Sequence, residues 1–256
     1  MILKKNCLLA LLVIGIFQPV FSEPVADQQR TGAFSIAITP EELLGETPEK
    51  IQSVIASDEQ IVWEAYVPQS YSADSPPGVI VYVSPGHSGA LPRGWARVMD
   101  EHNLIWISAN QSGNRVVVPR RIIKTILGLE VIRQQYAIDD TRIYIAGFSG
   151  GGKVASKIAT DLAPVFVGGI FICGVSDWGL DEPRYIEAVR SNRYVFLTGQ
   201  RDQALESTKR VYRSYQKARV PNIKLIIVRG MGHSNPPRKE IGKAIEFLEA
   251  GANELR

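Results

Sequence analysis

A serine, a histidine and an aspartate in this chain are flanked and ordered as a proton relay would need. Ser149 lies in Gly147-Phe148-Ser149-Gly150-Gly151, directly after the apolar run Arg142–Ala146. A G-x-S-x-G pattern at the end of a strand implies a sharp turn into a helix, and the small flanking residues let that turn pass close to its neighbours. The hydroxyl then stands clear of the strand. The N–H of Gly150 points from a helix N-terminus toward any negative charge that develops there. A serine hydroxyl is a weak nucleophile at its own pKa and needs a general base. Three histidines are available. His233 lies in Gly230-Met231-Gly232-His233-Ser234 after the last apolar run, His87 follows the run Val79–Val83, and His102 precedes the run Leu104–Ser108. The base must in turn be oriented by a carboxylate. Asp202, in Thr198-Gly199-Gln200-Arg201-Asp202, follows the run Tyr194–Thr198; Asp177, in Cys173-Gly174-Val175-Ser176-Asp177, follows Val167–Cys173. Ser149, His233 and Asp202, with Asp177 as the alternative acid, predict acyl transfer through a covalent serine intermediate.

Plainer readings exist for each residue. The glycines could serve only a tight turn, with Ser149 a surface helix start. His233 could be a solvated loop histidine, and Asp202 a surface aspartate beside Arg201. His102 reads as an exposed helix-end residue. The stretch Gly147 to Lys153 also meets G-x-x-x-x-G-K, but a phosphate-binding loop needs Ser or Thr next, and Val154 stands there. The polar stretch Asn110-Gln111-Ser112-Gly113-Asn114-Arg115 could contact a substrate, and Trp178 and Tyr185 could line a pocket.

These residues need a scaffold that brings distant loops to one edge. Apolar runs of five to seven residues alternate with amphipathic stretches along the chain. Ile61–Val67 alternates and reads as a half-exposed strand. Val79–Val83 and Leu104–Ser108 read as buried strands, and Arg142–Ala146, Val167–Cys173, Tyr194–Thr198 and Ile223–Val228 as further strands. Asp74 to Gly78 reads as a turn. Helices are predicted from Pro92 to Glu101, Val118 to Tyr136, Gly152 to Asp161, Ala204 to Ala218 and Arg238 to Ala250. In the second of these, Ile122, Ile126, Leu129 and Ile132 share one face. Alternating strands and helices predict an α/β fold, a mostly parallel central sheet with helices on both faces. Ligand sites in such sheets form beyond the carboxyl ends of the strands, where Ser149, Asp202, Asp177, His233 and His87 all fall. Residues 23–60 carry the weakest pattern. No linker divides the mature chain, which implies one domain, residues 23–256.

The elbow GFSGG, the GQRD loop and the GMGH loop, in that order, resemble the α/β-hydrolase superfamily over about residues 60–250. Within it the chain looks most like secreted serine esterases of the polyhydroxyalkanoate-depolymerase and feruloyl-esterase kind and their dipeptidase-like relatives. The resemblance implies the triad order Ser149, Asp202, His233. Some members place the acid one strand earlier, where Asp177 stands. The family also has His-Gly in the loop after the third strand, followed by a residue whose N–H completes an oxyanion hole. Here that loop reads Ser84-Pro85-Gly86-His87-Ser88-Gly89, with Pro85 in place of the histidine. By position the second N–H falls to His87, beside that of Gly150. The mechanism so implied needs neither metal nor organic cofactor. A peptidase or amidase on the same fold, and a binding protein that has lost catalysis, are the competing functions.

Composition narrows the partners. With 29 Lys+Arg, 26 Asp+Glu and 45% hydrophobic residues, the chain is neither disordered nor basic enough for a nucleic-acid footprint. Met1 to Ser22 has two lysines, an apolar run from Leu8 to Phe17, and small residues Val20 and Ser22. That is the layout of a secretory signal peptide, with an apolar run about half of the ~20 residues a spanning helix needs. A mature chain starting near Glu23 would be periplasmic or secreted, without stable membrane insertion. It would keep Cys173 but not Cys7, which excludes an intrachain disulfide and metal ligation by cysteine pairs. The expected partner is a small or polymeric ester. Gly174 to Arg193 is too short for a large lid.

Overall fold

The computed structural model describes residues 30–177 and 185–250. The expected leader and Trp178 lie outside the described residues. Eight strands form one sheet, β1 Gly32–Ile38, β2 Ile61–Val67, β3 Gly78–Val83, β4 Leu104–Ala109, β5 Ile143–Phe148, β6 Gly168–Ile172, β7 Arg193–Gly199 and β8 Ile223–Val228. Their order is β1-β2-β4-β3-β5-β6-β7-β8. From β4 to β8 every neighbouring pair is parallel, while β1–β2 and β2–β4 are antiparallel. The helices are α1 Pro40–Leu44, α2 Glu49–Gln52, α3 Ala96–Glu101, α4 Val118–Gln135, α5 Gly150–Asp161, α6 Ile186–Ser191, α7 Leu205–Lys217 and α8 Arg238–Glu249.

Alternate side chains of a strand point to opposite faces, so a strand covered on both sides must be apolar at every position. In β3, Val79, Val81 and Val83 join one core cluster, and Ile80 and Tyr82 join the other. In β5, Ile143 and Ile145 face the first, and Tyr144 and Ala146 the second. Residues of α4, α5, α6 and α7 pack on the first face, and those of α3 and α8 on the second. The chain moves outward from β3 to β4 through α3, then crosses back to β5 through α4 on the other face. Strand order therefore reverses beside β3 and β5, and the crevice beyond their carboxyl ends is where a ligand would seat.

The periodic segments match their elements to within a few residues. The chief differences have local causes. β2 is buried rather than half exposed, because β1 pairs along its whole length from Gly32↔Val67 to Ile38↔Ile61. β1 was not foreseen in residues 23–60, nor was α1, which a capping box between Thr39 and Glu42 starts. α3 begins at Ala96 rather than Pro92, since Gly94 has φ +83 and turns the chain just before it. α6, in the stretch between β6 and β7, was not among the expected helices. His102 is not an exposed helix end. Its side chain is 17% exposed, and Nδ1 lies 2.9 Å from Glu249 Oε2.

Candidate active site

β5 ends at Phe148 and α5 begins at Gly150, so Ser149 alone makes the corner. Its backbone has φ 56 and ψ −123, a region that L-residues rarely enter. The corner is pinned by the Ser149 N–H donating to Ile172 O at 2.7 Å. Glycine at 147 and 151 is required by space. A Cβ on Gly151 would lie 1.9 Å from the Val83 carbonyl oxygen, and one on Gly147 would lie 2.5 Å from Gly151 O. The first turn of α5 is thus pressed against the end of β3.

The base and acid come from adjacent loops. A Cβ on Gly199 would meet Met231 O at 2.1 Å, so the loop after β7 and the loop after β8 touch through their backbones. Arg201 N–H donates to Met231 O, which joins the same two loops. His233 spans the remaining gap. Its Nδ1 lies 2.8 Å from Asp202 Oδ1 and its Nε2 lies 2.8 Å from Ser149 Oγ. A carboxylate only accepts, so the ring proton belongs on Nδ1, and Nε2 is left to accept from the serine hydroxyl. The tilted ring of Phe148 packs beside the imidazole, with centroids 5.0 Å apart.

Asp202 is the buried end of this chain, with no side-chain exposure, while His233 is 32% exposed. Burial alone would push the Asp202 carboxyl up. The Ala204 N–H, the Cys173 thiol, the His233 ring and the Thr198 hydroxyl outweigh it and hold the carboxyl below its usual range. Thr198 Oγ1 donates at 3.0 Å and Ala204 N at 2.9 Å. Asp177 makes no hydrogen bond or ion pair to His233. That Cys173 and Thr198 lie beside Asp202 was not expected; their position at the ends of β6 and β7 was the available signal. Cys173 has φ 52, and the chain after it runs so close under the elbow that a Cβ on Gly174 would lie 2.1 Å from Ser149 O.

Cys173, Asp202 and His233 place one donor atom each within 4.8 Å of one another. The groups already engage one another and the serine: Asp202 meets His233 Nδ1 at 2.8 Å and Ser149 Oγ meets His233 Nε2 at 2.8 Å, while burial, reinforced by Asp202, pushes the Cys173 thiol up to about 12.

Across the crevice lie the two loops after β3 and β4. Ser84 shapes the first: its hydroxyl donates to Ser88 O at 2.6 Å and accepts from the Gly86 N–H at 3.2 Å. Gln111 N–H donates to His87 O, and Asn114 N–H donates to Pro85 O, which stitches the loops together. His87 is exposed, and among the described residues its N–H and that of Gly150 have no protein acceptor. Of the polar stretch 110–115, Asn114 reaches the elbow: a Cβ on Gly150 would lie 2.1 Å from its Oδ1. Tyr185 caps α6, with its hydroxyl buried.

Residues 123–231 match the model of the prolyl oligopeptidase family. No curated protein matches the chain. Among solved structures, the chain is similar to a candidate dipeptidyl aminopeptidase IV from Bacteroides ovatus, with TM-score 0.61 and 16% identity over 85% of this chain and 36% of that one. It therefore spans little more than a third of that relative. A ferulic acid esterase matches with TM-score 0.60 and 15% identity, over 88% of this chain and 99% of its own. An S-formylglutathione hydrolase from Staphylococcus aureus matches with TM-score 0.60 and 12% identity, over 89% and 98%. The fold is that of the α/β-hydrolase superfamily.

Proposed function

We propose that the protein is an exported serine hydrolase that cleaves carboxylic esters through an acyl-enzyme. The observation that carries this reading is the continuous hydrogen-bonded path from Ser149 Oγ through both nitrogens of His233 to a buried carboxylate. In the proposed cycle, Ser149 attacks the ester carbonyl as His233 Nε2 takes its proton. Asp202 holds the ring in the tautomer that leaves Nε2 free and stabilises the imidazolium. The N–H groups of Gly150 and His87 receive the oxyanion. His233 then gives its proton to the leaving alkoxide, and water releases the acyl group by the reverse path.

Ester chemistry is favoured over peptide chemistry by the extent of the likeness. Esterases are matched over nearly their full length, and the peptidase over about a third. The family match to prolyl oligopeptidases supports a peptidase or amidase as the second reading. A loss of turnover of p-nitrophenyl acyl esters, and of labelling by a fluorophosphonate probe, is expected for Ser149→Ala. Full turnover in that variant would overturn the proposal. A parallel panel of aminoacyl amides separates the two readings: faster amide than ester cleavage favours the peptidase. N-terminal sequencing of the exported protein tests cleavage after Ser22.

A further inference from the structure

α4 buries an arginine, Arg121, just before Ile122 and Ile123. Arg121 is 3% exposed, and its guanidinium is spread across three backbone carbonyls from three different segments. Nε donates to Ser112 O at 2.7 Å in the loop after β4. Nη2 donates to Ser84 O at 2.9 Å at the end of β3, and Nη1 donates to Gly150 O at 3.3 Å in the first turn of α5. Among the described residues no carboxylate pairs with it. Burial pulls its pKa down, and no anion restores it. A buried cation left without a counter-charge is costly, and carbonyl dipoles are what remains to hold it. An aliphatic residue in its place would leave the carbonyls of Ser84, Ser112 and Gly150 without these donors.

The three carbonyls belong to the segments that frame the proposed oxyanion site. Ser84 begins the loop that carries His87, and its hydroxyl already fixes Gly86 and Ser88. Ser112 lies in the loop that is stitched to it through Gln111 and Asn114. Gly150 is the residue whose N–H starts α5. The rigid, planar fork of guanidinium spreads its donors over three nitrogens in a fixed relation, whereas the three donors of an ammonium share one nitrogen and rotate. Resting on the serine-hydrolase reading above, we propose that Arg121 is a positioning residue for the oxyanion hole, one that sets the N–H groups of His87 and Gly150 against each other by clamping the backbone behind them. Misplacing preorganised donors costs transition-state binding more than substrate binding, because the charge they meet exists only there.

The test compares Arg121→Lys, which keeps the charge and loses the fork, with Arg121→Met, which loses both. Readouts are kcat and KM on a p-nitrophenyl ester and inhibition by phenylboronic acid, whose tetrahedral adduct on a serine carries the oxyanion-like charge. A fall in kcat of roughly tenfold is expected for the lysine variant. For the methionine variant the fall should reach up to about 10²-fold, the size of losing one oxyanion donor. KM should stay within a few fold, and boronate affinity should weaken in step with kcat. Thermal melts establish that each variant is folded at the assay temperature. Wild-type kcat and boronate affinity in folded Arg121→Lys would overturn the proposal, and so would a loss confined to KM. If Arg121→Met does not fold, the lysine variant decides alone. Turnover that survives Ser149→Ala would instead sink the hydrolase reading, a result independent of Arg121.

Discussion

Two histidine–carboxylate pairs lie at opposite ends of the same sheet. At the carboxyl end, His233 Nδ1 meets Asp202 at 2.8 Å; at the amino end, His102 Nδ1 meets Glu249 at 2.9 Å. The local contacts are nearly equal, but the surroundings are not. The Asp202 side chain is wholly buried and takes neutral donors, from Thr198 and Ala204, and among the described residues no Lys or Arg pairs with it. Glu249 shares its carboxylate with Arg142, whose guanidinium also reaches the His102 carbonyl. The other nitrogen of His233 faces a serine hydroxyl at 2.8 Å, whereas among the described residues no hydroxyl bonds to the His102 ring. An arginine satisfies its carboxylate and locks the pair to the scaffold. A carboxylate without one keeps its negative charge available to an imidazolium that forms during reaction. The difference between a structural clasp and a relay thus lies in the third partner.

That contrast predicts its own failures. The largest effect belongs to Asp202→Asn. An amide that donates toward Nδ1 would drive the ring proton to Nε2, where it blocks acceptance from Ser149, and kcat should fall by roughly 10⁴-fold. A loss below tenfold would mean the acid is elsewhere, with Asp177 the first residue to examine. At the other end, Glu249→Gln should leave kcat within about twofold and lower stability by about 1–3 kcal/mol, a drop in Tm of roughly 5 °C. A Glu249→Gln enzyme with normal Tm and reduced kcat would erase the distinction between the two pairs.

The pH dependence sharpens it further. Burial alone would raise the Glu249 carboxyl, but hydrogen bonds from His102 and Arg142 hold it below the usual carboxylate range. Its stabilising contribution is therefore complete above the unfolded value of about 4.3 and is lost as pH falls through the folded value. Below about pH 4.3, the Tm of the wild type should fall more steeply than that of Glu249→Gln. Parallel curves would contradict the ion-pair account. The smallest effect concerns Cys173. Its thiol, pushed up to about 12 by burial and by Asp202, should resist a disulfide reagent until the chain unfolds. Cys173→Ala removes the thiol that lies beside Asp202 and donates to Ser234 O at 3.6 Å, and should cost roughly fivefold in kcat, with Cys173→Ser restoring most of it.

Much of the scaffold was legible because burial on both faces leaves a local trace. β3 to β8 were readable from apolar runs, and α4, α5, α7 and α8 from intervening amphipathic stretches. β1 and α1 were not, since β1 alternates weakly and its role, covering β2, depends on a partner distant in sequence. In the site, GFSGG announced a corner because only residues without a Cβ can pass Val83 O at that distance. Arg121 was hidden in a helical pattern that marked Ile122, Ile126, Leu129 and Ile132 as the inward face. Nothing local distinguishes an arginine aimed at three carbonyls from one aimed at water.

By itself the amino-acid order determined which residue types stood at strand ends, and hence the candidates for nucleophile, base and acid. Short-range sterics and periodicity act within a few residues, so they can be read along a line. The tertiary structure alone decided that Asp202 and not Asp177 meets His233, that His102 is clasped rather than exposed, and that Arg121 meets the carbonyls of Ser84, Ser112 and Gly150. Those outcomes depend on distances across the sheet between segments up to 147 residues apart. Such distances are set by how the strands stack and which loops press together, a property of the packed whole that no single stretch of chain encodes.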